Sequence, residues 1–73
     1  MARREAKTEV TGSVWKITAA IGQSIAPGEA VMLIESMKME IPVIAEDGGT
    51  LVEIRVAEGA PVSEGDVVAI LEG

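Results

Sequence analysis

The 73-residue chain has no cysteine and no histidine, and its only aromatic residue is Trp15. Without cysteine there is no disulfide framework to stabilise so small a domain. Without histidine, the serines have no partner for a hydrolase triad. The near-absence of aromatic side chains argues against a large ligand pocket, and the acidic residues show no metal-loop spacing. The composition therefore offers very little catalytic chemistry.

The chain also has few basic residues and no long apolar segment. Six Lys and Arg stand against twelve Asp and Glu, for a net charge of −6, and no basic block is present. Nucleic-acid binding would need such a block with stacking aromatics, and no apolar run approaches the length of a membrane span. The basic start, residues 1–4, has no apolar signal-peptide core after it. We expect a single cytoplasmic domain, residues 1–73, that is monomeric in isolation.

What the chain does have is an internal repeat at an offset of 37 residues. Residues 12–35 align with residues 49–72 without a gap, and three glycine pairs and most apolar positions match. Glycines aligned in this way indicate backbone requirements, either a positive φ or a close approach. Two copies are too few for a solenoid, so we expect one closed domain with pseudo-twofold symmetry.

Each half has the pattern of β-strands. Short β-branched segments at 14–19 and 51–56 are followed by near-continuous apolar runs at 31–34 and 67–71, which predict fully buried strands. Ile25 and Val62 stand alone between glycines and are expected to cap the core. There is no helical period of 3.6 residues. We predict an all-β fold, a flattened β-barrel or sandwich of two small antiparallel sheets.

One irregularity is predicted near the start of each half. The inward-facing positions of the first half are Val14, Ile17 and Ala19, and the step of three residues between the first two indicates a β-bulge or sharp twist. The second half repeats this spacing. Lys16 then faces solvent. Because Trp15 stands beside core positions, we expect it to lie in the core or to cover part of it.

The repeat also predicts where Lys38 lies. This lysine follows the first copy, in a short polar corner between the apolar runs 30–34 and 41–45. After the second copy, the equivalent place is taken by the two ends of the chain. We therefore expect Lys38 at one end of the domain and both termini at the other.

The corner around Lys38 is the strongest candidate for a functional site. A lysine in a turn is usually only a solvated residue. Here Met37 and Met39 flank it at a tip, where apolar side chains gain little burial, and methionine suits a surface that another protein binds. The corner also lacks the Gly, Asn or Asp that a two-residue hairpin prefers, which implies tolerated backbone strain. Glu35 and Glu40 are better explained as recognition or solubility charges than as an acid–base pair.

The segment Glu35-Ser36-Met37-Lys38-Met39 resembles the Glu-Ala/Ser-Met-Lys-Met signature of biotin carboxyl carrier domains. The resemblance covers about residues 9–72 and includes both Gly-x5-Gly segments, 22–28 and 59–65. Lipoyl domains share this fold and repeat but typically carry Asp-Lys-Ala around their lysine. The ungapped alignment of the halves leaves no room for the thumb loop of some bacterial acetyl-CoA carboxylase carriers. The chain is thus similar to a minimal carrier, either a small stand-alone biotin/lipoyl attachment protein or an excised biotinyl domain.

The resemblance implies a non-catalytic carrier with biotin joined covalently to Lys38 by a biotin protein ligase. Biotin carboxylase and carboxyltransferase subunits would be its further partners. The ligase would recognise the residues around the lysine, Glu35, Ser36, Met37, Met39 and Glu40. The two methionines are expected to decide which ligase accepts the lysine. Two alternatives stay open: a lipoyl carrier on the same lysine, and an unmodified β-domain used for protein interaction.

Overall fold

The computed structural model describes residues 3–73, which form eight β-strands. In chain order these are β1 (Arg3–Lys7), β2 (Gly12–Ile17), β3 (Ser24–Ile25), β4 (Glu29–Ser36), β5 (Met39–Ala45), β6 (Gly49–Ile54), β7 (Pro61–Val62) and β8 (Val67–Glu72). No helix in this part of the chain is long and apolar enough to cross a membrane. Met1 and Ala2 lie outside the described residues.

The strands form two antiparallel sheets of four strands each. The order in the first sheet is β1-β8-β6-β3, and in the second it is β5-β4-β2-β7. We call the first the terminal sheet, because β1 and β8 are the outermost strands of the chain, and the second the hairpin sheet. The predicted sandwich is confirmed. The barrel alternative is not, because the edge strands β1 and β5 run side by side without a hydrogen-bonded ladder between them.

The register of the strands follows the sequence repeat. Ser13 pairs with Glu35 in the hairpin sheet, and Thr50 pairs with Glu72 in the terminal sheet. The predicted bulges occur at equivalent places, after Val14 and after Leu51. Strand β1 pairs with β8 as β5 pairs with β4. The repeat therefore predicts the pairing of the sandwich as well as its strands.

The core lies between the sheets and is built from both halves, and Ile25 and Val62 are buried in it as predicted. Three positions depart from expectation. Leu33 and Val67 are only partly buried: Leu33 alternates with the buried Met32 and Ile34 and so faces outward, and Val67 is the first residue of β8. Trp15 is not a core residue: its side chain is 48% exposed. It is the extra residue of the bulge in β2, and the bulge turns it to the outer face beside Lys16.

The two ends of the molecule are separated by the length of β5. That strand begins at Met39, next to Lys38, and ends at Ala45. Just beyond its far end, the carbonyl groups of Asp47 and Gly48 accept hydrogen bonds from Arg4 in the N-terminal strand, each at 3.2 Å. The molecule is 36 Å long and only 18 Å by 16 Å across. Arg4 and Gly73 thus lie at the end of the molecule opposite to Lys38, as predicted for the two ends of the chain.

Candidate functional site

Lys38 lies in a two-residue turn that joins β4 to β5. Ser36 and Met39 form the last pair of the ladder, and Met37 and Lys38 connect them. Both connecting residues have positive φ angles, 53° and 65°, as in the type I′ turn that matches the natural twist of a hairpin. Among residues 3–73, these two are the non-glycine residues with positive φ. Side chains disfavour this conformation by about 1–2 kcal/mol per residue, so the turn is strained, as predicted.

The turn presents its side chains to solvent. Met37 is 92% exposed and Met39 is 63% exposed, and Lys38 is exposed between them. None of the salt bridges within residues 3–73 includes Lys38. The amine therefore lies at a tip where a second protein has access to it, with two flexible thioether side chains beside it.

Ser36 fastens the base of the turn to the rest of the domain. Its hydroxyl donates a hydrogen bond to the carbonyl oxygen of Thr11, at 2.9 Å. The hydroxyl of Thr11 in turn accepts a hydrogen bond from the backbone N–H of Glu64, at 3.0 Å. Three segments far apart in sequence are thus joined beside the lysine. The sequence singled out Ser36 but not Thr11 or Glu64, whose positions in two loops give no local signal.

Gly12 brings the first strand of the repeat directly against the hairpin. A Cβ atom at this position would collide with the carbonyl oxygen of Glu35. Gly49 is in the same relation to Glu72, where a Cβ would lie 2.7 Å from the carbonyl oxygen. The aligned glycines are therefore explained by close backbone approach, as the repeat predicted. Beside Lys38, this contact gives the hairpin a stiff base.

Glu35 and Glu40 form a directly opposed pair one step below the turn. Both side chains are exposed, and neither takes part in a salt bridge within the described part of the chain. Like charges placed opposite each other destabilise a sheet. Because the pair adds nothing to the fold, it fits a role in recognition better than a role in stability.

The remaining chemistry near Lys38 is sparse. No group of three or more Cys, His, Asp or Glu residues suited to a metal ion exists within residues 3–73. A cleft of about 550 Å³ opens elsewhere, between β1 and β5, and its walls do not include residues 36–39. What the site offers is one accessible primary amine on a rigid support.

A family model described as "Biotin-requiring enzyme" matches residues 5–71, almost the whole chain. The chain belongs to this biotin/lipoyl attachment family. The fold agrees: the structure superposes on part of the Kluyveromyces lactis urea carboxylase with a TM-score of 0.93 and 35% sequence identity, over 99% of this chain and 6% of that one.

Two curated bacterial proteins of similar size resemble this attachment domain. The chain is 42% identical over 60 residues to the biotin/lipoyl attachment protein of Bacillus subtilis, which covers 82% of each chain. It is 34% identical over 67 residues to the biotinylated protein TB7.3 homolog of Mycobacterium leprae, which covers 92% of this chain and 94% of that one. The family is one of carrier domains, which agrees with a non-catalytic role. The assignment of individual site residues stays a prediction.

Proposed function

We propose that this domain is a biotin carboxyl carrier that receives biotin on Lys38. The observation that carries the proposal is the strained, exposed Met37-Lys38 turn. A protein that needed only a hairpin here would do better with Asn-Gly, which adopts this geometry without strain. Keeping Met and Lys at a conformational cost is explained if a second protein must read these side chains.

The residues present fit covalent attachment of biotin. Attachment to a carboxylic acid needs a nucleophilic amine that is sterically free, and Lys38 is exposed at a tip. Within residues 3–73 Lys38 has no salt-bridge partner, and we expect a separate ligase to supply the acylation chemistry. When attached, biotin would carry a carboxyl group on its ureido ring between the active sites of a biotin carboxylase and a carboxyltransferase.

In the attachment step, Nζ of Lys38 would attack the carbonyl carbon of biotinyl-AMP. The amide C–N bond would form as the bond from the carbonyl carbon to the phosphate oxygen breaks, and AMP would leave with the electron pair. The attacking amine would lose its proton within the ligase complex. The ammonium charge disappears in the amide, and the net charge of the chain falls from −6 to about −7.

The chain itself contributes position and recognition. Gly12 and Ser36 hold the hairpin against the first strand and its preceding loop, so that the lysine starts from a defined place. The length of β5 separates Lys38 from the opposite end of the molecule, where Arg4 bonds to the β5–β6 turn. Met37 and Met39 supply the side chains by which a biotin ligase would distinguish this hairpin from a lipoyl hairpin.

The proposal is tested by the intact mass of the protein after co-expression with a biotin ligase, followed by peptide mapping. We expect one biotinyl group on Lys38 and none on Lys7 or Lys16, which lie within strands. Lys38→Arg should abolish labelling completely and leave the thermal unfolding midpoint unchanged, because the exposed tip contributes little to packing. A lipoyl adduct on Lys38 would instead identify a lipoyl carrier. Absence of any adduct would refute both forms of carrier.

A further inference from the structure

The outer faces of the two sheets differ although the sequence repeat makes them equivalent. In an antiparallel sheet, residues that pair directly across strands share one face. On the hairpin sheet, Leu33 pairs with Pro42 on one side and Lys16 on the other. On the terminal sheet, the equivalent Ile70 pairs with Glu5 and Glu53. Leu33 and Ile70 therefore occupy equivalent outward-facing positions, but the cross-strand neighbours of Ile70 include two carboxylates and those of Leu33 include none.

The terminal sheet covers its apolar residue with charged side chains. Ile70 is only 1% exposed although it is not part of the core cluster between the sheets. The covering carboxylates are held in place by ion pairs: Lys7 with Glu5 at 3.9 Å, Arg3 with Glu53 at 3.6 Å, and Arg55 with Glu53 at 3.8 Å. The methylene groups of such side chains shield an apolar surface while their charged ends stay in water.

The hairpin sheet leaves its apolar residues uncovered. Leu33 is partly exposed, Pro42 is exposed, and Ile44 further along β5 is 38% exposed. Trp15 lies beside them in the bulge of β2 with 48% of its surface in solvent. No salt bridge within residues 3–73 lies on this face. On the equivalent face of the other sheet Ile70 is covered within the chain and the bulge residue Val52 is 39% exposed, so the larger apolar area left on the hairpin sheet indicates a surface that a partner covers.

The uncovered face is continuous with the lysine hairpin. One step toward Lys38, the same face carries Glu35 and Glu40, which are opposed to each other and unpaired within the described residues. A protein that brings its active site to Lys38 must bury roughly several hundred Å² of the carrier, more than a three-residue tip supplies. Trp15, a residue type over-represented at binding hot spots, lies on the nearest broad apolar surface.

We propose that the biotin protein ligase docks on this face, with an apolar ligase surface over Trp15, Leu33 and Pro42 and basic ligase side chains facing Glu35 and Glu40. The inference rests on the proposed function, since it names the surface by which the same ligase approaches Lys38. Ile44 lies toward the edge of the contact. The terminal sheet, with its ion pairs, remains in solvent.

The test compares Trp15→Glu with Val52→Glu. Val52 is the equivalent bulge residue of the terminal sheet, 39% exposed, and both substitutions add one negative charge to an exposed position. With purified biotin ligase, ATP and biotin, we expect Trp15→Glu to lower kcat/KM for the carrier about tenfold or more, mainly through KM. Val52→Glu should change it less than about twofold. Thermal unfolding followed by circular dichroism checks that both variants fold.

Each outcome of this comparison is decisive. If the wild-type carrier is biotinylated and the two variants react equally fast, the docking face is wrong while the proposed function stands. If the wild-type carrier takes no biotin, the proposed function fails, and the docking inference fails with it. If sedimentation shows that the wild-type carrier self-associates and Trp15→Glu does not, the face is covered by a second copy of this chain, which overturns the ligase assignment.

A direct measurement uses the single tryptophan of the chain. A Lys38→Arg carrier labelled with 5-fluorotryptophan gives one ¹⁹F resonance and cannot be acylated. Addition of unlabelled ligase should shift or broaden that resonance, since Trp15 would move from solvent into the interface. An unchanged resonance at ligase concentrations that inhibit biotinylation of wild-type carrier would contradict the proposal.

Discussion

The two ends of this molecule share one backbone plan and use it differently. At one end, Gly12 lets the chain approach the carbonyl of Glu35, and the strand continues into the lysine turn. At the other, Gly49 approaches the carbonyl of Glu72, the last residue of β8. There Arg4 bonds to the carbonyls of the β5–β6 turn, whereas at the lysine end a serine bonds to a single carbonyl.

This comparison separates what the fold needs from what the function needs. The glycine contact occurs at both ends, so it belongs to the fold. The strained turn and the opposed glutamates occur at the lysine end alone among the described residues, where they cost stability. The terminal end instead has a charged side chain that closes its turn. Features that appear once and oppose stability are therefore the ones to examine for function.

The largest effect on stability is expected from the glycine contacts. Gly49→Ala combines a backbone collision with an unfavourable φ of 123°, and Gly12→Ala has the collision alone. We expect each to lower the free energy of unfolding by about 2–3 kcal/mol, with Gly49→Ala the more severe. Urea unfolding followed by circular dichroism measures the loss. Gly22→Ala is the control, since its φ is 90° but nothing lies near an added Cβ; a loss equal to that of Gly49→Ala would show that φ alone matters.

A smaller effect, of opposite sign, is expected in the lysine turn. Met37→Asn places a residue that tolerates positive φ at the first turn position, so we expect a gain of about 1 kcal/mol in stability. We also expect slower biotinylation, because the ligase can no longer contact the side chain of Met37. The urea midpoint and the rate of acylation are measured on the same protein. An unchanged midpoint would mean that the turn is not strained, which would weaken the contrast between the two ends.

The smallest effect is expected from the hydrogen bond that anchors the hairpin. Ser36→Ala leaves the carbonyl of Thr11 to solvent and should lower stability by only about 0.5 kcal/mol. Its counterpart, Arg4→Met, removes two charge-assisted bonds at the terminal end and should lower stability by about 1 kcal/mol. Equilibrium unfolding of both variants tests the order. A larger loss for Ser36→Ala would show that the hydrogen bond at the lysine end contributes more to stability than the two bonds of Arg4 at the terminal end.

Much of the fold could be predicted because two alignable halves supply twice the information. The strands, the two bulges and the opposite placement of Lys38 and the termini all follow from glycine and apolar positions that match across the repeat. The residues of strand β1, RREAK, do not indicate a strand by themselves, because charged residues carry little strand signal. Its place follows from pairing with β8, a contact between the two ends of the chain.

The rest depends on which way individual side chains point and on contacts between distant loops. Trp15 was expected to lie in the core or to cover part of it because its neighbours are core residues, but it follows the inward-facing Val14 as the extra residue of the bulge and faces outward with Lys16. Leu33 and Val67 were expected to be fully buried because their runs are uniformly apolar, which hides which face each one occupies. The bond from Ser36 to Thr11 spans 25 residues and leaves no trace in local pattern.

Strand β5 stands at the edge of its sheet, and it is also one of the most apolar segments of the chain. Strand β1 runs beside this edge without forming a ladder with it, and an unpaired edge can recruit further strands into an aggregate. Pro42, in the middle of the strand, has no N–H to offer a strand added there, and the acidic Glu40 precedes it. The edge of β5 beside Lys38 thus keeps an apolar surface on which a protein could bind transiently. The same edge lacks the regular series of backbone N–H donors on which a fibril would grow.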